Sequence, residues 1–394
     1  MTTAPASPWT PTTASDRAAY LAVALSPGIG IARLNAIIAA CGSPSGALAA
    51  PFAFLCTIPG ISRSAATELS ARKPADGERV LVEAARHGGI VLIPGDPLFP
   101  AHLAEIPDAP PVVFVKGRLE LLEAPGVAIV GSRDHTRYGA EVARLVAGTA
   151  AAAGIAVVSG MARGLDAIAH HAALDAGGTT IGVLGNGLGV IYPAANRALY
   201  DRVGVDGLLL TEFAPGERPH AGSFPRRNRL ISALARVTVV VEAAHGSGAL
   251  ITAGTALEQG RDVMAVPGPI TSGTSDGTNA LIRDGAEPLL GVEDLLAHYP
   301  EAAMVAPAAM AGVRRSAPRA DTGPGTQAPP PPRVAVPPEL APVAACLGAE
   351  LVHIDAISLV SGLPVGDCLA ALAQLELLGA VEQQPGCQFR LAAG

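Results

Sequence analysis

Aromatic residues are scarce in this chain, 3% of 394 residues, with one tryptophan, seven phenylalanines and five tyrosines. The core must therefore be aliphatic. Much of the 49% hydrophobic content is alanine, and such small residues let helices lie close to a sheet. Stacking platforms for nucleobases are correspondingly few. Positive charge is also in deficit, 27 Lys and Arg against 34 Asp and Glu, for a formal net charge of −7. That balance argues against a surface that attracts nucleic acid everywhere, so any such binding has to rest on a local basic patch. The five cysteines (Cys41, Cys56, Cys346, Cys368 and Cys387) are odd in number and never in Cys-x-x-Cys spacing. Neither a disulfide framework nor a zinc site is indicated, and a reducing cytoplasm fits best. The start, MTTAPASPWTPTTAS, lacks the basic residues and apolar run of a secretion signal. Two uncharged-looking stretches, 145–162 and 176–195, are broken by glycines and read as helix-turn-strand pieces, not as membrane spans.

What is present suggests two or three domains. Residues 1–15, rich in Pro, Thr and Ala, read as a disordered tail. Residues 16–75 read as helical. Within them SPGIGIARLNAIIAA and IPGISRSAATEL each place a Gly-containing turn before a helical pattern. That is either a helix-hairpin-helix (SAM-like) device offering backbone N–H groups to phosphate or a plain pair of connectors. Over 76–299, the runs VAIVGS, IAVVSG, TTIGVLG, GLLLTE, VTVVVEA and DVMAVPG alternate with helical segments. Continuous apolar strands joined through helices require right-handed crossovers, which predicts an α/β, Rossmann-like doubly wound parallel sheet. Residues 300–338 carry a Pro/Ala-rich linker, and 339–394 read as helix, turn, helix and hairpin, a winged-helix-like domain.

Ligands of open α/β sheets bind outside the carboxyl ends of the strands, which directs attention to GSRDHTRYG, SGMARGLDAIAHHAAL and EAAHGSGALITAGTALEQG. Each supplies small residues and then opens a helix, an arrangement suited to capturing phosphate. The dinucleotide fingerprint is missing, since GSRDHTRYG has no Gly-x-Gly-x-x-Gly spacing and no acid ends IAVVSG, so no cofactor is predicted. GNGLGV alternates glycines but continues into IYPAAN and not at once into a helix. ERPHAGSFPRRNRLISALA and the residue after it gather Arg218, Arg226, Arg227, Arg229 and Arg236 with no acid after Glu217, and Pro225 is placed to begin a helix. Arginines in a first turn oppose the helix dipole unless an anion neutralises them, and a phosphate chain would do so. Beside them Phe224 is either a base-stacking face or a buried staple. Asp166, His170 and His171 have no third ligand or nucleophile, so a structural aspartate is favoured there over a metal or acid/base site.

These motifs, in this order, resemble the DNA-processing protein A family, also called DprA or Smf. The resemblance runs from LIPGDPLFPAHLAEIPDAPPVVFVKG through GSRDHTRYG, SGMARGLDAIAHHAAL, GNGLGVIYPAANRALY, FPRRNRLISALA and GSGALITAGTALEQGRDVMAVPG to SDGTNALIRDGA. It implies a non-enzymatic, sequence-tolerant binder of single-stranded DNA that forms homodimers. It also implies protection of incoming strands in natural transformation and help in loading the recombinase RecA onto DNA coated with single-strand-binding protein. By matching motif, the contacts it implies are Arg133, Arg163, Phe224, Arg226, Asn228 and Arg229, with Gly131, Ser132, Ser159 and Gly160 shaping the pocket. Arg227, Ser247 and Gly248 complete the expected phosphate-binding set. Relatives commonly read Lys-Ser-Gly-Ser where this chain has Gly246, Ser247, Gly248 and Ala249, so a basic contact is missing that His245 or another arginine would have to replace. The competing class is a phosphoribohydrolase-like enzyme acting on nucleoside monophosphates, with Glu242 and Glu258 as catalytic carboxylates. A third is an interaction scaffold. The helices of the C-terminal module carry acids and no arginine or lysine, which favours protein contact over groove reading.

Overall fold

The computed structural model describes residues 13–303, 337, 340–348, 352–378, 380–384 and 388–391. Most of the expected tail (1–12) and linker (304–336) lie outside the described residues. The chain divides into two compact units, residues 1–314 and 315–394. No single helix among the described residues is long and apolar enough to cross a membrane.

In the first unit, six helices precede the sheet: α1 (Ala14–Ala24), α2 (Ile31–Cys41), α3 (Pro44–Ala49), α4 (Phe52–Leu55), α5 (Arg63–Ser70) and α6 (Pro74–Arg86). Helices α2 and α5 follow the two Gly-containing turns, as the sequence pattern requires. These helices are not a separate body. Their buried residues Tyr20, Leu34, Ile37 and Leu69 share one core with Phe114, Leu184 and Leu209 of the sheet region.

The sheet has nine strands: β1 (Ile90–Leu92), β2 (Val113–Gly117), β3 (Gly126–Val130), β4 (Ala156–Ser159), β5 (Thr180–Val183), β6 (Leu208–Thr211), β7 (Val237–Val240), β8 (Asp262–Ala265) and β9 (Glu287–Pro288). Their order is β1-β2-β6-β5-β4-β3-β7-β8-β9. From β6 to β9 every pairing is parallel. At the other edge β2 runs antiparallel to both β1 and β6, an extension that the apolar pattern of the six central runs did not announce.

Helix α7 (Ala101–Ala104) joins β1 to β2, while α8 (Arg137–Ala152), α9 (Leu165–Asp175), α10 (Arg197–Asp206), α11 (Ser223–Ala233) and α12 (Gly248–Glu258) follow β3 to β7 in turn. Helices α13 (Asp276–Arg283), α14 (Val292–Ala297) and α15 (Pro300–Ala303) close the unit. Helices cover both faces because successive strand residues point to opposite sides. Val127, Ile129, Val157, Val237 and Val239 pack with α8 and α9, and Ala128, Val130, Ala156, Val158 and Val240 pack with α11 and α12.

The second unit holds α16 (Ala341–Ala344), α17 (Ile354–Ser361) and α18 (Val365–Leu377), with β10 (Val352–His353), β11 (Val381–Gln384) and β12 (Gln388–Leu391) in the antiparallel order β10-β12-β11. Gly362, at φ 72°, ends α17 in the left-handed conformation and makes the turn. Val343, Ile357, Leu372, Leu375 and Phe389 form a core of the unit's own. A helix-turn-helix with a hairpin wing is the observed form of this module.

The packing of α6 on α1 yields a sign reversal. Gly77 is buried in α6, and a Cβ there would stand 1.9 Å from the carbonyl oxygen of Ala18. In an exposed helix interior Gly→Ala stabilises by roughly 1 kcal/mol. Here the obstacle is backbone that cannot swing aside, so Gly77→Ala is expected to destabilise by about 1–3 kcal/mol, read as a lower Tm. A raised Tm would show that α1 is free to move away.

Candidate nucleic-acid interface

The chain leaves β3 on one side for β4, β5 and β6, and returns on its other side for β7. The strand order therefore reverses between β3 and β7, and a crevice opens at their carboxyl ends. It is a cleft of about 460 Å³ lined by Gly131, Ser132, Arg133, Phe224, Arg227, Asn228, His245, Gly246, Ser247 and Gly248, among others. A recess of about 50 Å³ is lined by Gly160, Arg163 and Tyr192, again with Arg133, Phe224 and Arg227. All thirteen expected phosphate-site residues except Ser159, Arg226 and Arg229 line one of these two spaces.

Local chemistry fixes the loops. Ser132 Oγ donates to the Asp134 carbonyl at 2.8 Å and accepts from the Asp134 N–H at 3.1 Å, folding the turn after β3 onto itself. That turn touches the next one, because the Leu165 N–H donates to the Ser132 carbonyl at 3.2 Å. The contact needs glycine: Gly164 has φ 79°, and a Cβ on it would stand 2.5 Å from the Ser132 carbonyl oxygen. Ser247 caps α12 by accepting from the Ala249 N–H at 3.3 Å, and Asn228 Nδ2 donates to the Gly248 carbonyl at 3.3 Å. The positive ends of α9 and α12 consequently start at the cleft. Ser159 is fully buried, with its Oγ donating to the Ile129 carbonyl at 2.7 Å, so it ties β4 to β3 beneath the cleft.

Arg227 is the least expected of the group, being 4% exposed. Its guanidinium donates to the carbonyls of Gly160 and Val183, the residues at the ends of β4 and β5, and its Nε lies 3.3 Å from Asn228 Oδ1. Only glycine leaves room for it, since a Cβ on residue 160 would stand 2.5 Å from Arg227 Nη2. Burial pulls Arg227 down to about 10, so it remains charged at neutral pH. Asp166, buried nearby, accepts from the Ala162 N–H at 3.3 Å; burial pushes its carboxyl up, against the opposing pull of Arg227. It is the structural aspartate that the sequence favoured. His170 is likewise structural, buried against Thr180 Oγ1 at 2.6 Å and pulled down by burial to about 3, while His171 is exposed.

The expectation that an external polyanion neutralises the whole arginine cluster is corrected. Arg226 and Arg229 both pair with the buried carboxylate of Glu212, at 2.9 and 2.6 Å, and Arg229 also meets Asp108 at 2.9 Å. They face a different cleft, of about 650 Å³, that also borders the turn before α2. Arg236 pairs with Glu301 at 2.5 Å. Nor does Pro225 begin the helix: Gly222 caps it, and Pro225 is its third residue, so Arg226 falls after the first three positions where the dipole repels cations most. Among the described residues, Arg133 and Arg163 are exposed and make no ion pair. Arg133 instead lies 5.7 Å from the Phe224 ring centroid. Phe224 is half-buried, so neither of its two sequence readings is excluded by burial.

Sequence reasoning passed over three participants. Glu212 follows the GLLLT strand, where its place at a carboxyl end was the available signal. Asn196 donates to the carbonyls of Met161 and Ala162 at 3.0 and 3.1 Å. Tyr192 lies 5.6 Å from Phe224, ring to ring.

Two outcomes follow from these burials. Arg229→Ala strips Glu212 of a partner while Arg226 still faces it, so the cost is expected near the lower end of the about 3–5 kcal/mol typical of broken buried pairs. Chemical denaturation would show it, and an unchanged midpoint would place Glu212 in water. For Asp166, the raised native value means that the folded state keeps its proton to higher pH than the unfolded chain does. Stability present below the ordinary value of 3.8 is therefore lost as pH rises through the raised one. Asp166→Asn is expected to remove that loss, so its Tm relative to wild type improves from acidic pH to neutrality; parallel curves would contradict the assignment.

Comparison with known proteins agrees with this geometry. A family model described as DNA recombination-mediator protein A matches residues 90–300, and one for the DprA winged helix domain matches 327–387. The chain is 38% identical over 315 residues to protein Smf of Synechocystis, spanning 76% of this chain and 79% of that protein. It is 40% identical over 303 residues to protein Smf of Escherichia coli, spanning 76% and 77% respectively. The X-ray structure of DNA processing protein A from Streptococcus pneumoniae matches with a TM-score of 0.60 at 35% identity, over 72% of this chain and 95% of that one. A doubly wound sheet with its crevice at the β3/β7 reversal, a winged module later in the sequence and identity at this level make the chain a member of the DNA recombination-mediator protein A (DprA/Smf) family.

Proposed function

We propose that this protein is a non-enzymatic, cytoplasmic mediator of DNA recombination that holds single-stranded DNA across the carboxyl edge of its sheet. In natural transformation it protects incoming strands and helps load RecA onto DNA coated with single-strand-binding protein, working as a homodimer. The winged module serves protein contact. The observation that carries the reading is the pair of exposed, unpaired arginines, Arg133 and Arg163, beside a half-buried Phe224 at the mouth of a cleft floored by the buried charge of Arg227. Backbone N–H groups and arginines read phosphate and carry no sequence information, which fits tolerance of any base. Gly131, Ser132, Gly160, Ser247 and Gly248 let the strand approach the backbone. Asn228 holds the Gly248 carbonyl. Arg226 and Arg229 act from the neighbouring cleft, in balance with Glu212.

The hydrolase alternative loses its proposed acid/base pair. Glu242 accepts from the Thr136 N–H at 2.9 Å and from the Thr136 hydroxyl, buried at the start of α8. Glu258 is exposed at the opposite end of α12, about 15 Å along the axis from the cleft at 1.5 Å per residue.

For single strands the logarithm of affinity falls with log salt by about 0.7 for each phosphate neutralised. Arg133→Ala is expected to flatten that slope by about 0.7, whereas Arg202→Ala, on α10 and paired with Asp175, leaves it unchanged. An unaltered slope in Arg133→Ala would remove that residue from the interface. Base release from nucleoside monophosphates would revive the hydrolase reading.

A further inference from the structure

The segment GNGLGVIYPAAN, residues 185–196, contributes no phosphate contact to the reading above, yet it forms one wall of the recess that holds Arg133 and Arg163. Its tyrosine is unlike the other four. Tyr20, Tyr200 and Tyr299 are buried, and Tyr138 donates its hydroxyl to the Pro267 carbonyl at 3.0 Å. Tyr192 is 48% exposed. Among the described residues its hydroxyl has no hydrogen-bond partner. In a chain with 3% aromatic residues, a ring left at the mouth of a recess lined by two unpaired arginines needs a reason.

The ring is held from behind. Ile191 packs against the helical core. Asn186 Nδ2 donates to the carbonyls of Gly187 and Val190, at 3.1 and 2.8 Å. Asn196, on the far side, binds the carbonyls of Met161 and Ala162. Met161 is the one non-glycine residue of positive φ, 57°, among those described. Its strained turn carries Arg163, so Asn196 is a positioning residue that makes the Tyr192 segment and the Arg163 turn move together.

Resting on the single-strand reading, we infer that Tyr192 is a second base-stacking residue beside Phe224. The two ring centroids are 5.6 Å apart and tilted by 39°. A base sandwiched between parallel rings needs about 7 Å, twice the 3.5 Å of ring contact. No base fits between them, so Phe224 and Tyr192 each offer a separate face. Two neighbouring nucleotides are held, with Arg133 and Arg163 on their phosphates.

The test compares wild type, Tyr192→Ala and Tyr192→Phe on a homopolymer single strand and on a strand of equal length and phosphate count that lacks bases. Tyr192→Ala is expected to weaken binding to the base-bearing strand by about 5- to 150-fold, the range for loss of one stacked base. Tyr192→Phe stays within about twofold, because the ring is what binds. On the abasic strand all three proteins bind alike, and the salt slope does not change. Equal weakening on both strands would assign Tyr192 a merely structural role, and no weakening on either would remove it from the site; each overturns the inference. Unfolding temperatures of the variants separate loss of fold from loss of contact. A wild type that binds no single strand would overturn the single-strand reading as well, whereas a normal Arg133→Ala slope change with an unaffected Tyr192→Ala defeats stacking alone.

Discussion

The cleft depends on one buried cation. Arg227 bridges the ends of β4 and β5 by donating to the Gly160 and Val183 carbonyls, in a place where an L side chain at residue 160 would collide with it. Strand-end carbonyls would otherwise present negative partial charge to the crevice. With the guanidinium against them, the floor of the cleft is positive, and the starts of α9 and α12 add to that sign. Burying a guanidinium is costly, and the fold offsets this with carbonyl dipoles and with the nearby Asp166 instead of a contacting carboxylate. A close ion pair would have cancelled the field that a bound anion would feel.

The same economy of charge explains how a chain of net charge −7 can present a basic cleft. Along the FPRRNR helix, adjacent arginines point different ways: Arg227 faces the β3/β7 crevice, while Arg226 and Arg229 face the cleft beneath the helical region and share Glu212. Neutralisation within the fold at Glu212 leaves the β3/β7 cleft with the unpaired, exposed charges of Arg133 and Arg163 at its rim. A local field can attract a polyanion irrespective of the total, because charges beyond about 10 Å are largely screened at 0.1 M salt.

The six central strands, the two glycine turns before helices and the helix-turn-helix of the second unit were legible from sequence, because each rests on local periodicity or a local breaker. So were the loops at the carboxyl ends. Pairings across distance were not. Glu212 lies 14 and 17 residues from the arginines it binds, at the end of a strand whose apolar run gives no hint of where its last residue turns. Asp108 comes from the loop before β2, itself an antiparallel edge strand that follows none of the βαβ spacing. The arginine count was readable; the division of those arginines between two clefts is a property of helix azimuth and strand order together. The left-handed Met161 is invisible for a similar reason, since the Asn196 side chain that binds its carbonyl comes from 35 residues away.

In the single-strand binding proposed above, tolerance of sequence and firmness of grip pull in different directions, and the arrangement of groups in this cleft would reconcile them. A hydrogen bond to a base edge discriminates, so a binder of any strand must take its affinity from phosphates and ring faces. Phosphates demand donors at fixed spacing, which the caps of α9 and α12 and the tied turns after β3 and β4 provide. Ring faces demand aromatic residues that the interior of this chain scarcely needs, since its core is aliphatic. Two of its few aromatic rings, Phe224 and Tyr192, nevertheless stand beside Arg133 and Arg163, and each is carried by a segment whose backbone is hydrogen-bonded into the fold. Rigid support of that kind lowers the entropy lost when a flexible strand is captured, and so lets general contacts bind firmly without reading sequence.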